Sequence, residues 1–122
     1  MPRTVLLADD DRVVTLALSA ALKAHGYRVV VAHDVVQATM MVRREKPDAV
    51  VMDIQMPGGT GLVAIERIRA SSLASQLPVV AISSLPAETT ADKAQAAGAD
   101  AFLPKPVDPA QLLAVLQQHL GA

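Results

Sequence analysis

Short apolar runs alternate along this chain with longer stretches whose apolar positions recur at helical spacing. Val5–Ala8 is one such run, and it ends in three acids, Asp9, Asp10 and Asp11. From Arg12 to Ala24 the polar residues Arg12, Thr15, Ser19 and Lys23 recur with a helical period, against an apolar stripe of Val14, Leu18, Ala21 and Leu22. This predicts an amphipathic helix with Thr15 and Ser19 on its polar face, closed by Gly26. Tyr27–Ala32 reads as a strand rich in β-branched residues. Asp34 predicts the cap of a second helix that runs to about Glu45 and is stopped by Pro47. Ala49–Met52 is a continuous apolar run of strand length leading to Asp53, and Pro57–Gly61 is a loop. Leu62, Ile65 and Ile68 or Arg69 mark a third helix, Pro78–Ser83 a strand, and Glu88–Ala97 an alanine-rich helix closed by Gly98. Asp100–Leu103 is a last short strand. Asp108 with Pro109 starts a final helix, an acidic cap followed by proline in the first turn.

The pattern is five strands alternating with five helices. Such alternation calls for right-handed crossovers and a parallel sheet, an α/β architecture. The strands lack a polar alternate face, as expected when helices cover both sides of a doubly wound five-stranded parallel sheet. No repeat, low-complexity tract or linker interrupts the 122 residues, so one domain over 1–122 is expected. In sheets of this kind the site lies beyond the carboxyl ends of the strands. Those ends carry Asp9 and Asp10, then Asp53, Ser83 and Lys105.

Composition narrows the chemistry. There are no cysteines, which excludes disulfides and Cys-ligated zinc or iron–sulfur centres. Net charge is −1, so neither a nucleic-acid footprint nor a polybasic membrane signal is present. No apolar run approaches the roughly 18 residues needed to span a bilayer. The N-terminus lacks the form of a signal peptide, and a cytoplasmic location is expected. The three histidines, His25, His33 and His119, show no metal-ligand spacing. Only two residues are aromatic, Tyr27 and Phe102, so the core must be aliphatic.

Three carboxylates at one crevice repel one another and are tolerable only if protonated, solvated or bridged by a cation. Oxygen ligands without His or Cys suit a hard ion, and Mg²⁺ is the usual choice where phosphate is handled. A lysine, a hydroxyl and a metal around one carboxylate form a phosphoryl clamp, in which the carboxylate can attack phosphorus to give an acyl phosphate. Taken singly, each residue also has an ordinary reading: helix cap, strand end, surface lysine. Their coincidence at four strand ends argues for the clamp. Asp11 reads as a helix N-terminal residue rather than a ligand. Ser84 reads as a small neighbour of Ser83 that leaves the approach open.

The chain resembles the receiver domain of two-component response regulators over essentially its whole length. The matching motifs are Val5-Leu6-Leu7-Ala8-Asp9-Asp10-Asp11, Val51-Met52-Asp53-Ile54-Gln55-Met56-Pro57-Gly58-Gly59-Thr60-Gly61, Pro78-Val79-Val80-Ala81-Ile82-Ser83-Ser84 and Gly98-Ala99-Asp100-Ala101-Phe102-Leu103-Pro104-Lys105-Pro106. Four motifs in this order and spacing are highly specific. The resemblance implies a flavodoxin-like (βα)5 receiver fold. It implies that Asp53 is the phosphoacceptor, served by a histidine kinase or histidine phosphotransfer protein. Asp10 matches the direct acidic Mg²⁺ ligand, Asp9 its water-mediated partner, and the Gln55 carbonyl completes the protein's share of the coordination. Lys105 matches the phosphoryl-binding lysine, Ser83 the hydroxyl that moves to the phosphoryl group, and Phe102 the aromatic switch. The resemblance also implies a cis Lys105–Pro106 peptide. Such a domain is a signalling phosphoacceptor that promotes only its own phosphotransfer and dephosphorylation. Its output is the surface of the fourth helix, fifth strand and fifth helix, presented to a downstream protein or to an output domain outside this chain.

Departures and rivals sharpen the reading. Thr60 stands where the family often has Asp or Asn. Leu85, two residues beyond Ser83, cannot orient a water by hydrogen bonding, so unassisted dephosphorylation is expected not to be fast. The fifth helix carries no Lys or Arg, which argues against a charge-paired, DNA-binding dimer and for a monomer or weak dimer with no direct nucleic-acid contact. Met1 suggests a stand-alone regulator or an N-terminal receiver. Gly59-Thr60-Gly61-Leu62-Val63-Ala64 spells a dinucleotide fingerprint, but it follows the third strand and lacks the ribose-binding acid about 20 residues on. An aspartyl phosphatase would want a second acid at Gln55. A degenerate receiver that only docks is opposed by the full set of Asp9, Asp10, Asp53, Ser83 and Lys105.

Overall fold

The computed structural model describes residues 2–72 and 74–121. Its elements are β1 (Thr4–Ala8), α1 (Arg12–Ala24), β2 (Arg28–Ala32), α2 (Val35–Glu45), β3 (Ala49–Asp53), β4 (Gln55–Met56), β5 (Gly59–Thr60), α3 (Gly61–Ala70), β6 (Val79–Ser83), α4 (Ala87–Ala97), β7 (Ala101–Pro104) and α5 (Pro109–Leu120). The large sheet is parallel throughout, with strand order β2-β1-β3-β6-β7. The chain leaves β1 toward β2, then crosses back to β3 on the other side. The ends of β1 and β3 therefore flank the point where the winding reverses, which is where α/β sheets open a crevice.

Strand periodicity splits the core in two. Successive side chains point to opposite faces of the sheet. Leu6, Val50, Met52, Val79 and Ala81 join α2, α3 and α4 residues such as Val35, Ala38, Ile65, Ile68 and Ala94 on one face. Val5, Leu7, Val51, Val80 and Ile82 join Leu18, Leu22, Leu112 and Leu116 of α1 and α5 on the other. Both faces are aliphatic. Tyr27 packs against the second cluster and Phe102 against the first, each only partly buried.

The helix starts follow the sequence signals. Asp11 Oδ1 accepts from the main-chain N–H groups of Val13 and Val14, Asp34 Oδ1 from Gln37, and Asp108 Oδ1 from Ala110. Thr60 caps α3 through Val63. Each cap satisfies a donor that the first helical turn leaves free. At the end of the sheet remote from these caps, Arg69 donates to the carbonyls of Gly98 at 2.8 Å and Leu77 at 2.6 Å. It also pairs with Asp100 at 2.8 Å, which ties α3 to the start of β7.

Two expectations need correction. Pro57–Gly61 is not simply a loop: Gln55–Met56 and Gly59–Thr60 pair as a two-residue antiparallel ribbon around it. In α1, Thr15 and Ser19 are buried with Leu18 and Leu22, whereas Val13 and Leu16 are 77% and 75% exposed. Positions 15, 18, 19 and 22 share one helical stripe, so the period fits this face as well as the other. Small side chains let α1 approach the sheet and α5, and Thr15 Oγ1 satisfies itself on the Arg12 carbonyl at 3.1 Å. Ile65→Ala and Leu116→Ala, one from each fully buried cluster, are each expected to cost about 2–5 kcal/mol in denaturant unfolding. A cost below about 1 kcal/mol for either would contradict the close packing assigned to that face.

Candidate functional site

Parallel register brings the strand ends level. Ala8 pairs with Met52, Asp53 with Ile82, and Ser83 with Pro104. Asp9, Asp53, Ser83 and Lys105 therefore leave the sheet at one edge, as the strand-end rule requires. Asp9 is 0% exposed, Asp53 2% and Ser83 0%, while Asp10 is exposed beside them. The Lys105–Pro106 peptide is cis, and the Lys105 N–H donates to the Ser83 carbonyl at 2.9 Å.

Lys105 Nζ closes the constellation. It lies 2.9 Å from Asp53 Oδ2 and 2.7 Å from Asp9 Oδ2. The contact with Asp53 is a hydrogen bond. Asp9 Oδ2 meets the ammonium as an ion contact without hydrogen-bond geometry and has no other partner among the described residues. The other oxygens are held by the main chain: Asp53 Oδ1 accepts from the Gln55 N–H at 3.0 Å and Asp9 Oδ1 from the Asp11 N–H at 2.9 Å. Ser83 Oγ accepts from the Leu85 N–H at 3.0 Å.

One ammonium faces three carboxylates. Asp9, Asp10 and Asp53 each offer an oxygen, and these atoms all lie within 4.8 Å of one another. The donor set is all oxygen, two of the acids are buried, and one buried oxygen lacks a hydrogen bond. These features fit a hard divalent cation such as Mg²⁺ and suit softer, nitrogen- or sulfur-seeking metals poorly. Asp53 also shows the strain of its surroundings. Burial raises its pKa above the usual carboxylate value, the Gln55 and Lys105 hydrogen bonds and the Lys105 charge work against that rise, and the Asp9 charge adds to it. The net direction is upward. Burial pulls Lys105 down, but its contacts with Asp9 and Asp53 together outweigh that and hold it above the ordinary lysine value.

In the β3–α3 connection Gly61 has a steric reason that owes nothing to a dinucleotide. A Cβ on Gly61 would collide with the Asp53 carbonyl oxygen, because α3 begins directly against the end of β3. The Gly61 N–H instead donates to the Ile54 carbonyl at 2.8 Å.

Two neighbours were not legible as part of the site. Ser84, read as a bystander, donates through Oγ to Gln55 Oε1 at 2.9 Å and bridges the two loops across the mouth. The opening is instead a groove of about 690 Å³ that runs from Asp10 and Gln55 past Met56, Leu62 and Leu85 to Lys93. His33, read as isolated, places Nδ1 3.0 Å from the Asp9 carbonyl oxygen. The signal that could have found it is the strand-end rule applied to β2, whose carboxyl end lies beside that of β1. Phe102 is half-buried and lines a shallow groove with Ala91 and Gln95 of α4.

The raised Asp53 pKa has a sign that can be measured. The folded state prefers neutral Asp53, so this contribution to stability is complete below the usual Asp range and is lost as pH rises through the raised pKa. Asp53→Asn, permanently neutral and nearly isosteric, is expected to raise the melting temperature of the metal-free protein at neutral pH. The advantage should fade in acid. A lower neutral-pH melting temperature for the variant would contradict this account.

Comparison with known proteins gives these features a family. The model of the response regulator receiver domain matches residues 5–117. The response regulator MprA of Mycobacterium ulcerans is 37% identical over 116 residues, covering 95% of this chain and 49% of that protein. MprA of Mycobacterium leprae is 38% identical over 116 residues, covering 95% and 50%. The chain thus spans about half the length of these curated relatives. Among solved structures, the magnesium-containing receiver domain of the sensor histidine kinase PA1611 of Pseudomonas aeruginosa superposes with a TM-score of 0.91 at 30% identity, covering 100% of both chains. The chemotaxis response regulator CheY4 of Vibrio cholerae gives 0.90 at 28% identity, covering 98% of this chain and 99% of that one. Parallel winding, strand-end acids and lysine share one explanation: the chain belongs to the response regulator receiver domains, with their flavodoxin-like fold.

Proposed function

We propose that residues 1–122 form one receiver domain that accepts a phosphoryl group on Asp53 from a histidine kinase or histidine phosphotransfer protein. The observation that carries this reading is the convergence of Lys105 on Asp53 and Asp9, from three separate strand ends, at 2.9 and 2.7 Å. Asp53 Oδ attacks phosphorus, the phosphorus–nitrogen bond to the donor histidine breaks, and the imidazole leaves with the electron pair. Lys105 Nζ, which now neutralises Asp53, transfers to an oxygen of the bound phosphoryl group. Asp10, Asp53 and the Gln55 carbonyl would hold Mg²⁺, with Asp9 assisting through water. When bound, the ion supplies neutralisation of charge on the phosphoryl oxygens. The acyl phosphate that results is hydrolysed in time, so the domain is a timed switch and turns over no outside substrate.

Output follows from the residues behind the site. Ser83 Oγ is drawn toward the new anion, Phe102 rotates inward, and the α4–β7–α5 surface changes as one of two pre-existing states gains population. The reader of that surface is a separate protein or an output domain beyond this chain. The exposed positions of α5 are Pro109, Ala110, Gln111, Ala114, Gln117, Gln118 and His119, with no Lys, Arg or acid among them. That favours a monomer or weak dimer over a charge-paired one and gives this domain no direct role in nucleic-acid binding. Among the described residues no helix is long and apolar enough to cross a membrane, which is compatible with the cytoplasmic location we propose.

The reading is tested with acetyl phosphate as donor and a phosphate-affinity gel. Wild type is expected to shift only with Mg²⁺ present, Asp53→Asn not to shift at all, and Lys105→Met to label about 10²-fold more slowly. An equal shift of the Asp53 variant, or a shift that ignores Mg²⁺, would remove the assignment. With Leu85 unable to orient a water, the isolated phosphoprotein is expected to outlast a half-life of seconds after the donor is removed.

A further inference from the structure

Asp9 does more than offer a carboxylate. Its main-chain N–H donates to the Ala32 carbonyl at 3.0 Å, the last rung between the β1 and β2 chains. Its own carbonyl faces a side chain, His33 Nδ1, at 3.0 Å. The other ring nitrogen, Nε2, lies 3.4 Å from Arg12 Nη1. A carbonyl can only accept and a guanidinium can only donate. The two partners therefore assign the ring's roles: Nδ1–H donates to Asp9 and Nε2 accepts from Arg12. Both bonds are made at once by the tautomer that carries its proton on Nδ1.

The ring is also held from behind. The His33 main-chain N–H donates to Gln37 Oε1 at 2.6 Å, and the Gln37 N–H binds the Asp34 cap at 2.7 Å. The start of α2 thus fixes the backbone that carries the imidazole. In front, the ring touches Asp9 and Arg12, the two ends of the segment that carries all three acids. Within that segment Asp9 and Asp11 have hydrogen-bonded carboxylates. Among the described residues the Asp10 carboxylate has neither a hydrogen bond nor an ion pair, so its placement depends on its main chain. That main chain is what His33 grips.

We infer that His33 is a positioning residue for the divalent-cation site: by holding the Asp9 carbonyl it sets the Asp9–Asp10 peptide, and with it the Asp10 carboxylate. The inference rests on the metal-dependent reading proposed above. His33 touches neither the cation nor the phosphoryl group. It acts as outer partners of metal ligands do, by pre-arranging donors that would otherwise have to be ordered on binding.

The test measures Mg²⁺ affinity of the whole chain by titration calorimetry, beside the Mg²⁺ dependence of labelling by acetyl phosphate. His33→Ala is expected to weaken Mg²⁺ binding about tenfold. Its labelling rate should recover at saturating Mg²⁺, so the apparent affinity for the ion moves and the maximal rate does not. His33→Asn, whose amide N–H can stand near the place of Nδ1–H, is expected to retain most of the affinity. His33→Phe, which keeps a ring and loses the donor, is expected to behave as His33→Ala. Wild-type affinity in the Ala or Phe variant would overturn the inference, as would an Asn variant as weak as the Ala variant. If His33→Ala lowers the metal-free melting temperature and leaves Mg²⁺ affinity unchanged, the role is structural and the inference falls. A wild-type chain that bound no Mg²⁺ would overturn the functional reading itself, and this inference with it.

Discussion

A half-buried lysine between two buried carboxylates sets the terms for this molecule. Lys105 Nζ stands 2.7 Å from Asp9 and 2.9 Å from Asp53, and both acids are essentially closed to solvent. Charges in such a place are tolerable only when paired and hydrogen-bonded. The pairing is incomplete here: Asp10 adds a third acid, and one Asp9 oxygen has no hydrogen bond. The site is held together by its lysine and left one cation short. Burial pushes the Asp53 pKa upward, and the Asp9 charge adds to that rise.

The scaffold exists to impose that proximity. Parallel strands in register end at one height, so residues 9, 53, 83 and 105, distant in the chain, share one edge. Two aliphatic layers fix the sheet from both sides. Gly61 allows α3 to start against the Asp53 carbonyl, where any side chain would collide. At the far end, Arg69 ties α3, the end of α4 and the start of β7 through three carbonyl contacts and Asp100. The end tied by Arg69 and the end that carries the carboxylates are thus opposite. At the carboxylate end, Ser84 donates to Gln55 across the two loops.

Much of this was legible from residue order. Alternation of apolar runs and helical stripes predicted the five sheet strands and five helices, most within a residue of their observed bounds, because period and caps are local properties. The acids and the lysine were legible because the strand-end rule needs only strand order along the chain. The β4–β5 ribbon was missed because two-residue strands carry no periodic signal. The buried face of α1 was misjudged because Thr15 and Ser19 lie on the same stripe as Leu18 and Leu22, and hydropathy alone ranks them as polar.

The sequence by itself determined the architecture, the edge at which chemistry collects and the residue types available there. Only the tertiary structure decided which of those residues meet. His33 grips Asp9 because β2 pairs with β1, and the pairing order of strands is a long-range choice that local period does not encode. Lys105 bridges two acids, and Ser84 reaches Gln55, for the same reason. Phe102 was named from its place in a motif, but its half-buried setting against α4 follows from how β7 closes the sheet. Hydrophobic pattern says which way a side chain points; packing of distant segments says what it finds there.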